Sequence, residues 1–72
     1  MSLFFFDVVS AKFRCFDYRG SSFSGSEDAA YRAELLAADL GFSETTDWIG
    51  SQVQVWTAAG DMLCSIPVVD AA

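Results

Sequence analysis

At 72 residues the chain has room for one small domain, and a chain of this size buries only about 60% of the surface it exposes when unfolded. Apolar residues make up 53% and charged residues 19%, more apolar surface than one small core hides, which favours oligomerisation as the source of added stability. Ten acidic against four basic residues give a formal net charge of −6, which disfavours binding to a phosphate backbone or to an anionic membrane surface.

Residues 3–9 and 13–18 are rich in aromatic and β-branched side chains and are predicted as strands joined by a short turn at Ser10, Ala11 and Lys12. Successive strand residues point to opposite faces, so Phe4 and Phe6 share one face and Phe5 lies on the other. Pairing Val9 with Phe13 sets Phe6 against Phe16 and Phe4 against Tyr18. That register collects Phe4, Phe6, Val8, Phe16 and Tyr18 on one aromatic face, and leaves Leu3, Phe5, Val9, Phe13 and Cys15 on the other with Asp7 and Asp17. A slip of one residue would bring Phe6 opposite Asp17, so the first register is favoured.

Residues 20–26 form a loop of small residues with Phe23 as its apolar anchor. Ser24 with Glu27 fits a capping box, and Ser26 is an alternative cap that puts Glu27 and Asp28 in the first turn, where they favour the helix dipole. A helix over 27–40 follows, with Gly41 as its stop. At helical spacing Ala29, Ala33, Leu36, Ala37 and Leu40 form one stripe, and its small side chains let the helix approach the sheet closely. Asp28 and Arg32 make a supportive pair one turn apart. Tyr31 and Leu35 lie away from the stripe and make a second, smaller apolar spot.

Residues 42–50 are a loop carrying Glu44, Asp47 and Trp48. Residues 52–57 alternate, with Val53 and Val55 on one side and Gln52, Gln54 and Trp56 on the other. A tight turn at Ala58, Ala59 and Gly60, with Gly60 left-handed, leads to a strand over 62–68. Pro67 cannot donate to a ladder, so this strand is expected at an edge, and residues 69–72 are expected to fray. The order β-β-α-β-β implies an α+β fold, a four-stranded, mainly antiparallel sheet with one helix across one face.

The aromatic triplet Phe4-Phe5-Phe6 before Asp7, the Asp17-Tyr18-Arg19-Gly20 turn, the Ala29 and Ala33 spacing, Trp48 ahead of Val53 and Val55, and the closing Gly60 and Pro67 occur in one order. In that order they resemble a family of short bacterial domains of unknown function. The resemblance covers most of the chain and implies the same fold; it carries no activity with it. Thr57 and the serines around Gly25 stand where members of that family tend to have acidic residues.

The chain has no histidine, which removes the commonest general base and metal ligand and any Ser-His or Cys-His nucleophile pair. Lys12 sits in a turn and reads as a solvated turn residue. Asp7 and Asp17, on one face in the favoured register, are the candidate acid pair if burial raises one of them. Asp7, Asp17, Glu44 and Asp47 would have to converge from three segments to hold a hard cation, so no metal and no cofactor is expected. The loop 19–26 runs into a helix N-terminus but lacks a P-loop ending and is followed by acids, so an ordinary capped loop is expected. Cys15 and Cys64 read as small hydrophobes in strands, and a disulfide would need those strands to be neighbours. Residues 3–11 lack the positive charge and length of a secretory signal, and no apolar stretch approaches a membrane span, so the cytoplasm is the expected compartment.

With the helix on the Phe6 face, Phe5, Phe13 and Trp56 share the far face and mark a surface for a second copy or a protein partner. Tyr31 and Leu35 extend the candidate interface set. The expectation is a non-enzymatic interaction module that self-associates. The competing expectations are a small enzyme or ligand binder using Asp7 and Asp17 and, less favoured, a nucleic-acid-associated regulator using Arg14, Arg19 and Arg32.

Overall fold

Strand β1 (Ser2–Val9) is the centre of the sheet, and every other strand is placed by what it offers to one of β1's two edges. The computed structural model describes residues 1–42 and 47–70. Along one edge β1 pairs with β4 (Gln52–Thr57) from Phe4 to Val9, and β4 in turn pairs with β5 (Met62–Pro67). The other edge is shared by two short strands, β2 (Arg14–Cys15) beside Val8 and Val9, and β3 (Ser21–Phe23) beside Ser2 to Phe4. All pairings are antiparallel, in the order β2-β1-β4-β5 with β3 also on β1. With the helix α1 (Ser26–Gly41) the described residues make an α+β fold with an open five-stranded sheet, one strand more than the sequence predicts.

The extra strand, β3, forms inside the segment predicted as a loop, and the segment predicted as one continuous strand over 13–18 pairs only at Arg14 and Cys15. The register there is the one the hydrophobic pattern disfavours: Val9 faces Arg14, not Phe13. The cause is the turn. Ser10 donates its N–H to the Phe13 carbonyl at 2.9 Å, and its Oγ accepts the Lys12 and Phe13 N–H groups, each at 3.1 Å. Phe13 therefore closes the turn instead of opening the strand, and the pairing moves on by one residue. In that register Asp17 comes level with Phe6, and its carboxylate takes the Phe6 N–H at 3.1 Å where a backbone carbonyl would otherwise sit. The ladder resumes at Ser21. Phe16 and Tyr18, expected on the aromatic face with Phe4 and Phe6, are carried outward on the intervening bulge and are 50% and 87% exposed.

The helix packs over β4 and β5 and touches β3. Its alanine stripe does what the spacing predicts: Ala29, Ala33 and Ala37 are buried against Phe4, Val8, Val53, Val55 and Val68. Leu36 and Leu40 pack on the margin of that cluster. Phe23, the loop anchor, sits edge-on to Phe4 and Phe6 with ring centroids 6.2 and 5.7 Å away, so it covers the part of the sheet that α1 does not. Neither predicted serine caps the helix. Gly25 is the N-cap, with no side-chain bond to the first turn, and the Ser24 hydroxyl bonds the Asp28 carboxylate instead. The helix includes Gly41, which is buried and helical, and Phe42 forms the C-cap.

The β4–β5 hairpin follows the predicted bounds to within a residue. Gly60 is left-handed at φ +91°, and Thr57 ties the turn by donating its N–H to the Asp61 carbonyl at 2.8 Å while its Oγ accepts the Asp61 N–H at 3.2 Å. Leu63 is an extra residue between the Val55–Cys64 and Trp56–Met62 pairs, a β-bulge in the edge strand. Beyond Pro67 the chain stays bound: Val68 donates to the Ser51 carbonyl at 2.9 Å and accepts from Gly50 at 3.1 Å. Its side chain is buried at 2% exposure.

Candidate interaction surface

The strand register decides which side chains share the face that α1 leaves bare. Phe4, Phe6 and Val8 pair with Thr57, Val55 and Val53 on the helix side, so Phe5 and Trp56 are direct partners on the other, two residues from the Asp7–Gln54 pair. Phe5 and Trp56 are each half-buried, and Leu3, two residues from Phe5 on the same face, is 38% exposed. Phe5 has a partial cover from its own chain. The Asp17–Gly20 turn runs so close that a Cβ at Gly20 would lie 3.0 Å from the Phe5 ring, from Leu3 Cδ1 and from the Phe4 carbonyl oxygen. The Trp56 indole N–H is buried with no acceptor among the described residues, the kind of donor whose isolation costs about 1–3 kcal/mol.

Phe13 does not join this pair. Because it closes the Ser10 turn, its ring packs against the margin of the core, edge-to-face with Trp48 at 5.4 Å between centroids. The favoured register puts it with Phe5, and the shift of one residue removes it. Tyr31 and Leu35 stand on the outer side of α1, 62% and 41% exposed, as their distance from the alanine stripe predicts. Sequence reasoning does not find two exposed aromatics, Phe16 and Tyr18, whose rings lie 6.3 Å apart on the bulge. The signal for them is Asp17 between them: an acid whose oxygens can replace a ladder carbonyl.

The acid pair is brought together, but through the backbone. The Asp7 Oδ1 accepts the Asp17 N–H at 3.0 Å. The Asp17 carboxylate accepts the N–H groups of Phe6 at 3.1 Å, Arg19 at 3.2 Å and Gly20 at 3.0 Å. Partial burial alone would raise the Asp17 pKa, yet the donors of Gly20, Phe6 and Arg19 together outweigh it and hold the carboxyl below its ordinary value. A carboxylate so held is a poor proton donor near neutrality. It works as a fastener, closing its own turn and tying the bulge to β1.

Among the described residues no group of three His, Cys, Asp or Glu side chains converges to hold an ion, and Glu44 lies outside the described residues. An open depression lined by Lys12, Phe13, Asp47 and Trp48 lies beside the Ser10 turn. Cys15 and Cys64 are free thiols, kept apart because β1 and β4 lie between their strands. Burial raises the Cys64 pKa, and Glu34 raises it further. No helix among the described residues is long and apolar enough to cross a membrane. Comparisons of the chain with protein-family models, with curated proteins and with solved structures gave no match.

Proposed function

We propose that the chain is a small protein-interaction module that self-associates through the sheet face opposite the helix. The observation that carries this reading is the direct pairing of Phe5 with Trp56 on the face that α1 leaves uncovered. Aromatic side chains concentrated at a surface are what association energies draw on, and Leu3 extends the patch along β1. Asp7 beside the pair sets an acidic rim, which keeps the free chain in solution. The two free, separated thiols suit a reducing compartment, so the cytoplasm is the proposed location. The partner class is protein, first of all a second copy, and not nucleic acid or membrane.

Light scattering coupled to size exclusion tests the reading. The expected result is a mass that rises with concentration over roughly the micromolar to hundred-micromolar range. Phe5→Ser or Trp56→Ser should weaken that rise at least about tenfold, the loss typical of a truncated hot-spot residue, and improve solubility. A clean monomer whose solubility neither substitution changes would sink the idea.

A further inference from the structure

Two other surfaces carry opposite charge around exposed apolar side chains; the first adjoins Phe5 at Gly20, and the second lies on the helix. The first is the bulge between β2 and β3 with its flanks. Lys12, Arg14 and Arg19, three of the chain's four basic residues, are exposed there around Phe16 and Tyr18. Asp17, the acid that interrupts this run in the sequence, is turned inward onto the Phe6, Arg19 and Gly20 N–H groups. Its negative charge is set against backbone donors, and Lys12, Arg14 and Arg19 are exposed charges of the bulge and its flanks, with Asp47 beside Lys12.

The second surface is the outer side of α1. Tyr31, Leu35 and Phe42 are 62%, 41% and 72% exposed and recur at helical spacing opposite the buried Ala29, Ala33 and Ala37. Exposed acids flank that apolar stripe on both sides, Glu27 and Glu34 on one, Asp28 and Asp39 on the other. From Tyr31 to Phe42 the stripe spans about 16 Å at the rise of an α-helix, long enough to seat the paired rings of Phe16 and Tyr18 between the two rows of acids.

We propose that these two surfaces bind each other between copies of the chain: the acid-lined helix stripe of one molecule seats on the Phe16–Tyr18 knob of the next, its carboxylates facing Lys12, Arg14 and Arg19. The occupant is a second copy because the chain carries both halves of a charge-complementary pair. Molecules of net charge −6 repel one another, so contact between them needs a place where the local sign reverses, and the basic bulge is such a place. Its aromatic and arginine content is that of an interface centre. Because the two surfaces differ, the contact is heterologous, and repeated it builds a ring or an open chain instead of closing at two copies. The contact does not depend on the Phe5–Trp56 face and would stand if that face proved idle.

Charge reversal with mixing tests it. One variant carries Arg14→Glu and Arg19→Glu, the other Glu27→Lys and Glu34→Lys. All four positions are exposed, and Lys12→Glu replaces Arg14→Glu should β2 not tolerate the acid. The wild type should associate less as salt rises. Each variant alone should associate at least about tenfold more weakly than the wild type. An equimolar mixture should regain association, since the acidic helix of the first variant meets the basic bulge of the second, and the two reversed surfaces are again opposite in charge. Isotope-labelled amides report where contact occurs: in the mixture, shifts fall on residues 12–19 and 27–42 of both variants. A mixture that behaves as the sum of its parts overturns the proposal. So do shifts confined to β1 and β4 around Phe5 and Trp56, with residues 12–19 and 27–42 unmoved, a result that would at the same time support the sheet-face reading.

Discussion

Gly20 and Asp17 bind the bulge to β1 by different means, and each can be removed separately. Gly20 sits at φ +72°, and a Cβ there would meet the Phe4 carbonyl oxygen, which is fixed in the ladder, at 3.0 Å. Gly20→Ala combines a left-handed backbone with a clash that no rotamer relieves, so it should cost about 1–3 kcal/mol, read as a lower denaturant midpoint at unchanged slope. Asp17→Asn keeps the shape but loses the charge that strengthens three hydrogen bonds. Because the Asp17 pKa is lowered in the folded state, its contribution is present in full above the unfolded value of about 4 and fades as pH falls through the lower folded value. Asp17→Asn should therefore be less stable than the wild type at neutral pH, and the difference should close under strong acid. A stability difference that persists unchanged in acid would show that the charge of Asp17 is not what holds the turn.

At the scale of elements, the parts legible in the sequence are those governed by a single period. The alternation of residues 52–57 places Val53 and Val55 in the core and Trp56 outside it, as found, and the alanine spacing names the buried side of α1. Gly60 and Pro67 mark the hairpin turn and the edge strand, each for a stereochemical reason. Residues 13–23 are not legible in this way because their order is set by side chain to backbone bonds, which leave no period. Ser10 moves the register, and Asp17 substitutes for a strand residue. That one shift takes Phe13 out of the expected interface and puts Phe16 and Tyr18 on the surface. The helix start departs from expectation for a similar reason, since Ser24 bonds Asp28 and leaves Gly25 as a cap without a side chain. Gly25 has extended dihedrals, and a Cβ there would meet nothing within 4 Å. Gly25→Asp should therefore add a capping acceptor at the positive end of α1 and stabilise the protein by roughly a few tenths of a kcal/mol or more, visible as a small rise in the thermal midpoint.

For the whole molecule, one cluster of small side chains, chiefly alanine and valine, holds a sheet whose second face carries no helix among the described residues. A core of that kind leaves little stability in reserve. If copies associate as proposed, association and folding are linked by mass action. The thermal midpoint should then rise as protein concentration rises, and Trp56→Ser should flatten the dependence. A midpoint independent of concentration across a hundredfold range, about 2.7 kcal/mol of possible linkage, would show that the monomer is stable without a second copy.

The central position of β1 also bears on synthesis. Its ladder partner β4 lies about fifty positions downstream, with Phe4 waiting for Thr57 and Phe5 for Trp56. At typical translation rates of about 5–20 residues per second, that interval is on the order of 3–10 s. During it the aromatic triplet leaves the ribosome with no strand of its own chain to lie against except β2 and β3, which are too short to cover it. The nascent protein is thus exposed to capture by chaperones, or by neighbouring nascent chains, at the segment on which its finished sheet is centred.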